Sequence, residues 1–230
     1  MGFAVNVKLA KKVLVYSQLM LDEFLFSEVR SGDGWYANKQ AIQVGAVGHD
    51  CFNVKNLMLR AEFNYVRPFM FTHNDSLQNY THYGQPLAHP YGNNFWEVLV
   101  QGEYRTGRMV FSDLASIAVM GQDTDQYSYG NSVFAQESQR PLTDGVHYKN
   151  YGYDLASPSR LILFHNELRA GWLVEPRSGL MLEAAWTFRI REPESDVDLN
   201  TAHITNYLRI GLVAYFHERH VTEEARYTLH

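Results

Sequence analysis

The sequence predicts an all-β protein: an antiparallel up-and-down transmembrane β-barrel, with about nine strands visible and the rest of a larger barrel outside this chain. Three observations lead there. Segment after segment alternates apolar and polar residues with period two. Most segments run about ten to twelve residues, beyond the five or six usual in soluble sheets and suited to a tilted strand crossing a bilayer. The connections alternate between short and long, as in a barrel with tight periplasmic turns and extended extracellular loops.

The strands follow in order. Phe3–Leu9 and Val13–Glu23 alternate, joined across Ala10–Lys12; Lys39–His49 alternates more weakly. In Leu57–Arg67, Leu57, Leu59, Ala61, Phe63 and Tyr65 oppose Arg60, Glu62 and Asn64. In "NFWEVLVQGEYR", Trp96, Val98, Val100 and Tyr104 oppose Glu97, Gln101, Glu103 and Arg105. Met109–Met120 is again weaker. In the next strand Ile162, Phe164, Leu168, Ala170, Trp172 and Val174 share a face broken by Asn166, against His165, Glu167 and Arg169. "LMLEAAWTFRIR" is the clearest: Leu182, Ala184, Trp186, Phe188 and Ile190 against Glu183, Thr187, Arg189 and Arg191. Ile204–Phe216 closes the series, and Val221–Leu229 reads as a tail.

Short connections are Ala10–Lys12, Asp50–Lys55, Thr106–Gly107 and Glu175–Gly179; long ones are Leu25–Asn38, Pro68–Asn94, Gln122–Ser159 and Glu192–His203. A soluble barrel or sandwich also alternates. It would turn its apolar face inward and would not need tryptophans on that face of such long strands. Nine is odd, whereas single-chain bacterial barrels have even numbers. Residues 1–230 therefore read as one domain, the C-terminal portion of a longer barrel, with strand edges open at Phe3–Leu9 and Ile204–Phe216.

Composition agrees. Aromatics make up 14%, hydrophobic residues 46%, and mean hydropathy is −0.31, a mixture suited to a sheet with one apolar and one polar face. The net charge of −5 speaks against a nucleic-acid partner. One cysteine, Cys51, leaves no internal disulfide. The ten histidines show no convincing metal spacing, so neither metal nor cofactor is expected. "MGFAVNVKLAKKVLVYSQ" is not a signal peptide, no apolar run makes a membrane helix, and Asn6 stands where a myristoylation motif needs Ser or Thr.

"NYTHYGQPLAHPYGNNF", Asn79–Phe95, interrupts this regularity with no hydrophobic period. Together with Glu62, Asn64, Val66, Arg67 and Pro68, the whole Thr72–Phe95 run, and "VYSQLMLDEF" at Val15–Phe24, it resembles the Wzi-type capsule-assembly outer-membrane barrels, most closely their gliding-motility RemB-like branch. The likeness is strongest over about residues 13–105. It implies a membrane-spanning barrel in the outer membrane of a Gram-negative bacterium, with the signal peptide in a missing N-terminal part. It also implies a role in attaching or assembling surface polysaccharide, or in gliding, and outer-membrane lipid, polysaccharide and gliding or secretion machinery as partners.

The loop's chemistry fits glycan contact. Tyr80, Tyr83 and Tyr91 offer flat faces to sugar rings; His82, Gln85, His89 and Asn93 offer imidazole and amide groups to hydroxyls. Pro86, Pro90, Gly84 and Gly92 would hold the shape. The opposing reading is a loop folded into the barrel mouth as a cap. An enzyme is not expected: His165 and Glu167 could pair as base and orienter, but Arg169 beside them points to a salt-bridge ladder. His73 and His82 are weak metal candidates, and Gln122–Ser159 reads as an exposed surface loop. A structural membrane barrel without its own ligand, or a barrel enzyme acting on lipid or glycan, are the alternatives.

Overall fold

The computed structural model describes residues 1–23, 25–193 and 202–214. Nine strands form one antiparallel meander: β1 (Gly2–Ala10), β2 (Val13–Leu21), β3 (Gln40–His49), β4 (Leu57–Val66), β7 (Phe95–Thr106), β8 (Met109–Gln122), β9 (Ser159–Glu175), β10 (Leu180–Pro193) and β11 (His203–Ala214). A two-residue hairpin, β5 (Thr81–His82) with β6 (Gln85–Pro86), and one short helix, α1 (Phe26–Ser31), lie in the long loops. The helix and the hairpin were not expected. The sheet is open, with β1 and β11 as its edges. The expected Phe216 end of the last strand and the Val221–Leu229 tail lie outside the described residues, as does most of the Glu192–His203 connection.

Burial runs opposite to that of a soluble sheet. Register places Val98, Trp172, Leu182 and Trp186 on one face of the sheet, and all four are exposed, Leu182 by 43% and Trp186 by 42%. Glu62, Glu97 and Glu183 point to the other face and are 7%, 4% and 5% exposed. The sequence-expected ladder of charges occupies this inner face. Arg60 pairs with Glu62 at 2.5 Å, Arg169 with Glu167, and Arg209 with Glu183 at 3.0 Å. Tyr16 donates its hydroxyl proton to Glu62 and receives Arg60 Nε at 3.0 Å. The cross-strand partner of Tyr16 is Gly45, where a Cβ would lie 2.3 Å from the Tyr16 ring. That close approach is why a glycine stands mid-strand.

The four short connections gather at one end of the sheet and the long connections at the other, residue 24 of the first and residues 194–201 of the last lying outside the described residues. The main apolar cluster lies at the loop end of the inner face. Ala41, Val66, Phe95, Ala118, Met120, Leu161 and Leu163 from the strands meet Met70, Phe71 and Val133 from the loops. The 123–158 connection is the exposed surface loop expected from its Tyr, Asp and Ser content only in part: residues 124–127 and 143–148 are exposed, but Tyr153, Val133, Ser128 and Arg140 are all buried. Its polar residues are spent internally. Asp123 alone accepts the backbone N–H of Tyr129 (2.7 Å), Asn131 (3.1 Å) and Ser132 (3.0 Å) and the Ser128 hydroxyl (3.1 Å).

Candidate functional site

The quoted stretch splits into two arms with different environments. The outer arm is the β5–β6 hairpin. Tyr83 (φ 47°) and Gly84 (φ 71°) take the left-handed pair of conformations of a tight hairpin turn. That turn lifts Tyr83 into solvent, 93% exposed, with the His82 ring edge-on to it at 4.2 Å. Gln85, paired across from His82, is exposed as well. Tyr80 at the base is half in: its ring lies on Phe71 at 5.6 Å, and its backbone N–H donates to the Phe71 carbonyl. Asn79 anchors the arm. Its carboxamide oxygen accepts from His73 N at 2.6 Å, and its Nδ2 donates to the Val133 and Ala135 carbonyls.

The inner arm turns down onto the sheet. His89 Nδ1 accepts the Tyr91 N–H at 3.2 Å, so Nε2 carries the proton and donates it to the Glu97 carboxylate at 3.2 Å. Glu97 also accepts Asn64 Nδ2 at 3.1 Å, and Asn64 reaches Glu62 at 3.0 Å. The loop is thereby tied into the inner-face network. Tyr91 stands edge-on to Phe95 at 5.7 Å. Burial, then the Glu97 charge, raises its phenol above the ordinary range, while a hydrogen bond with Ser116 acts the other way. Asn93 is wholly buried, and its side-chain amide has no hydrogen-bond partner among the described residues. Asn94 staples three segments: Oδ1 accepts Ala156 N (2.7 Å), Nδ2 donates to Ser157 O (3.0 Å), and its backbone meets Arg67 and Gly121.

Of the residues expected to touch a glycan, Tyr80, His82, Tyr83 and Gln85 thus face outward together. His89, Tyr91 and Asn93 are committed to packing or hydrogen bonds within the cap. The cap itself is closed by a contact no local motif announced. Lys39, fully buried, donates to Glu137 at 2.5 Å and to the Thr72 carbonyl at 2.9 Å, and lies 3.4 Å from Glu23. Glu23, His73 and Glu137 each bring a donor atom within 4.8 Å of the others, and the cation joining the two carboxylates is the Lys39 ammonium. His82 is not part of this group. Arg140 adds a second tie, its guanidinium 3.5 Å above the Tyr36 ring.

Burial pushes the Tyr153 phenol up to about 12. The unfolded phenol ionises near 10 while the folded one stays neutral, so the folded cap binds more protons between those values. Its stability should be full below pH 10 and fall as pH rises toward 12. Alkaline titration followed by tyrosinate absorbance should show one late, cooperative component that Tyr153→Phe removes.

Comparison of the chain with protein-family models, curated proteins and solved structures gave no match. What fold and site define is a class: an open nine-stranded antiparallel meander, apolar outside and charged inside, capped at one end by its own loops. The Lys39–Glu137 bond, spanning 98 residues, had no signal in the sequence. The inner-face network did, since alternation had already put Arg60, Glu62, Asn64 and Glu97 on one side.

Proposed function

We propose that this chain is part of an outer-membrane β-barrel of a Gram-negative bacterium, with the loop cap outside the cell. We further propose that the protein holds or handles surface polysaccharide, in capsule attachment or assembly or in gliding motility. One observation carries the membrane reading: the exposed face is predominantly apolar across the sheet while carboxylates are buried on the other. Lipid can cover the first face, and only water or opposite charges can satisfy the second. The resemblance to Wzi-type barrels supplies the polysaccharide part, and the solvent-facing Tyr80, His82, Tyr83 and Gln85 support it with an aromatic face flanked by hydrogen-bonding groups. No catalytic role is proposed.

Closure follows from parity. The first and ninth strands of an antiparallel meander run the same way, so antiparallel pairing at both edges needs an odd number of further strands. A second copy of these nine could supply that number only by facing the opposite way across the membrane. Expressed alone, the chain should therefore fail to give a heat-modifiable monomer on gels, because unpaired N–H and C=O groups at β1 and β11 are costly in lipid. A heat-modifiable monomer band with protease-resistant strands would overturn this.

The glycan reading is tested on the complete barrel. Tyr83→Ala should weaken polysaccharide binding by about 1–2 kcal/mol, the apolar area of one stacked ring, and leave the melting temperature unchanged. Tyr91→Ala should instead lower the melting temperature, with binding per folded molecule retained. Undiminished binding in Tyr83→Ala would remove the hairpin tip as the contact, and no binding by the unaltered barrel would favour a structural barrel without a ligand, the reading that the packing of His89–Phe95 into the cap supports.

A further inference from the structure

The outward face carries one feature that lipid cannot satisfy. Across the nine strands its described residues include Arg160 and Glu192 at the loop ends of β9 and β10 and Glu175 at the turn end of β9, but Asp113 stands within β8. Register puts Asp113 in one row with Gly102, Leu168, Trp186 and Leu208, well inside the apolar band. Its carboxylate accepts Asn166 Nδ2 at 2.6 Å, so two polar side chains sit side by side among apolar ones. Asp113 borders a groove of about 460 Å³ on the same face, within the range of sites that take a ligand-sized body. The floor is made by Gly102, Ala170 and Ala184, whose small side chains leave the depression, and Tyr104, Leu168 and Trp186 stand around it.

We propose that this groove is the docking site, within the membrane, for a segment of another protein that presents a Lys or Arg to Asp113 and bulky apolar side chains to the small-residue floor. The inference rests on the membrane reading given above. Acyl chains would fill the groove but bring no donor to a carboxylate at that depth. A second copy of these nine strands in the same orientation brings none there either, because its outward cation among the described residues, Arg160, is at the loop end. A partner with a cation at the level of Asp113 answers both the charge and the shape. Buried charges in membranes are retained where they meet such a partner.

The complete barrel, in its native membrane, with benzoyl-phenylalanine in place of Leu168 should form a photo-adduct with a membrane protein; the same residue in place of Val44, on the far side of the sheet, should not. Asp113→Leu and Ala184→Trp should each reduce the adduct at least tenfold while the barrel still folds, and Asp113→Glu should retain it. Asp113→Lys should lose it, and exchanging the contacting Lys or Arg of the captured protein for Glu should restore it. An adduct indifferent to Asp113→Leu, an adduct with a second copy, or no adduct overturns the proposal. Brominated-lipid quenching of the purified barrel, taken as the difference between wild type and Trp186→Phe, separates the two levels. If Trp186 is unquenched, the membrane reading falls and the docking site with it. If it is quenched while the adduct ignores Asp113, the docking site alone falls.

Discussion

Lys39→Met should lower the stability of the folded cap by about 3–5 kcal/mol, the cost of leaving a buried ion pair with one member. The physical reason is the absence of water. Lys39 is fully buried and Glu137 nearly so, so without the ammonium the Glu137 carboxylate must find another partner or take up a proton. Arg140 lies 3.8 Å from its other oxygen and compensates in part, which places the cost toward the lower end of that range. Glu23 is half exposed and can turn to solvent. Three loops meet at this point, so the loss should be felt across the cap. Fluorescence of Trp35, in the same loop as Lys39, should report an early transition in a denaturant titration. The double variant Lys39→Met, Glu137→Gln should recover most of the loss, because it removes the stranded charge along with its partner. A double variant as unstable as the single one would mean that Lys39 acts through packing of its stem and its bond to the Thr72 carbonyl.

Leu182→Arg should destabilise the membrane-inserted protein by about 1–2 kcal/mol, less than the ~2–4 kcal/mol of a midplane position, because Leu182 is the third residue of β10 from its tight turn. Leu182 lies in register between Trp172 and Leu212 on the outward face, with apolar neighbours on every side. Gln101→Ala, on the inner face of β7, should cost under about 1 kcal/mol, since it removes no packed apolar volume and strands no charge. The contrast discriminates between folds. On a soluble sheet an exposed Leu182 would accept arginine within about 0.5 kcal/mol. Denaturant titration in micelles measures both variants, and equal costs on the two faces would refute the membrane assignment.

The strands were legible because their information is local. Side chains alternate across a strand, so Glu183 and Leu182 declare opposite faces whatever the rest of the chain does. All nine strands stand where the alternation put them, with ends displaced by a few residues. Turn chemistry was legible for the same reason at Gly84 and Gly107. The loops were not. A histidine in "QPLAHPYG" has no local mark that separates a solvated ring from one bonded to Glu97. Tyr83 and Tyr91 look alike in sequence yet differ completely in burial. The Asp123 hub and the Asn94 staple are built from residues that read as ordinary polar loop, so the expectation of an exposed 123–158 segment holds at 124–127 and 143–148 and fails where the segment packs into the cap.

By itself, then, the sequence determined the strand count, which side chains share a face, and the position of tight turns against long loops. Each of these depends on backbone periodicity and conformational preference within a few residues. Only the tertiary structure decided how the cap closes, that half of Asn79–Phe95 packs inward while its tip stays free, and that Asp113 borders a groove. Those outcomes depend on pairs such as Lys39 with Glu137 and Asp113 with Asn166, brought together across the sheet or between loops. No local propensity encodes them, because the energy that selects them, desolvated charge pairing and close packing, exists only once the distant segments have met.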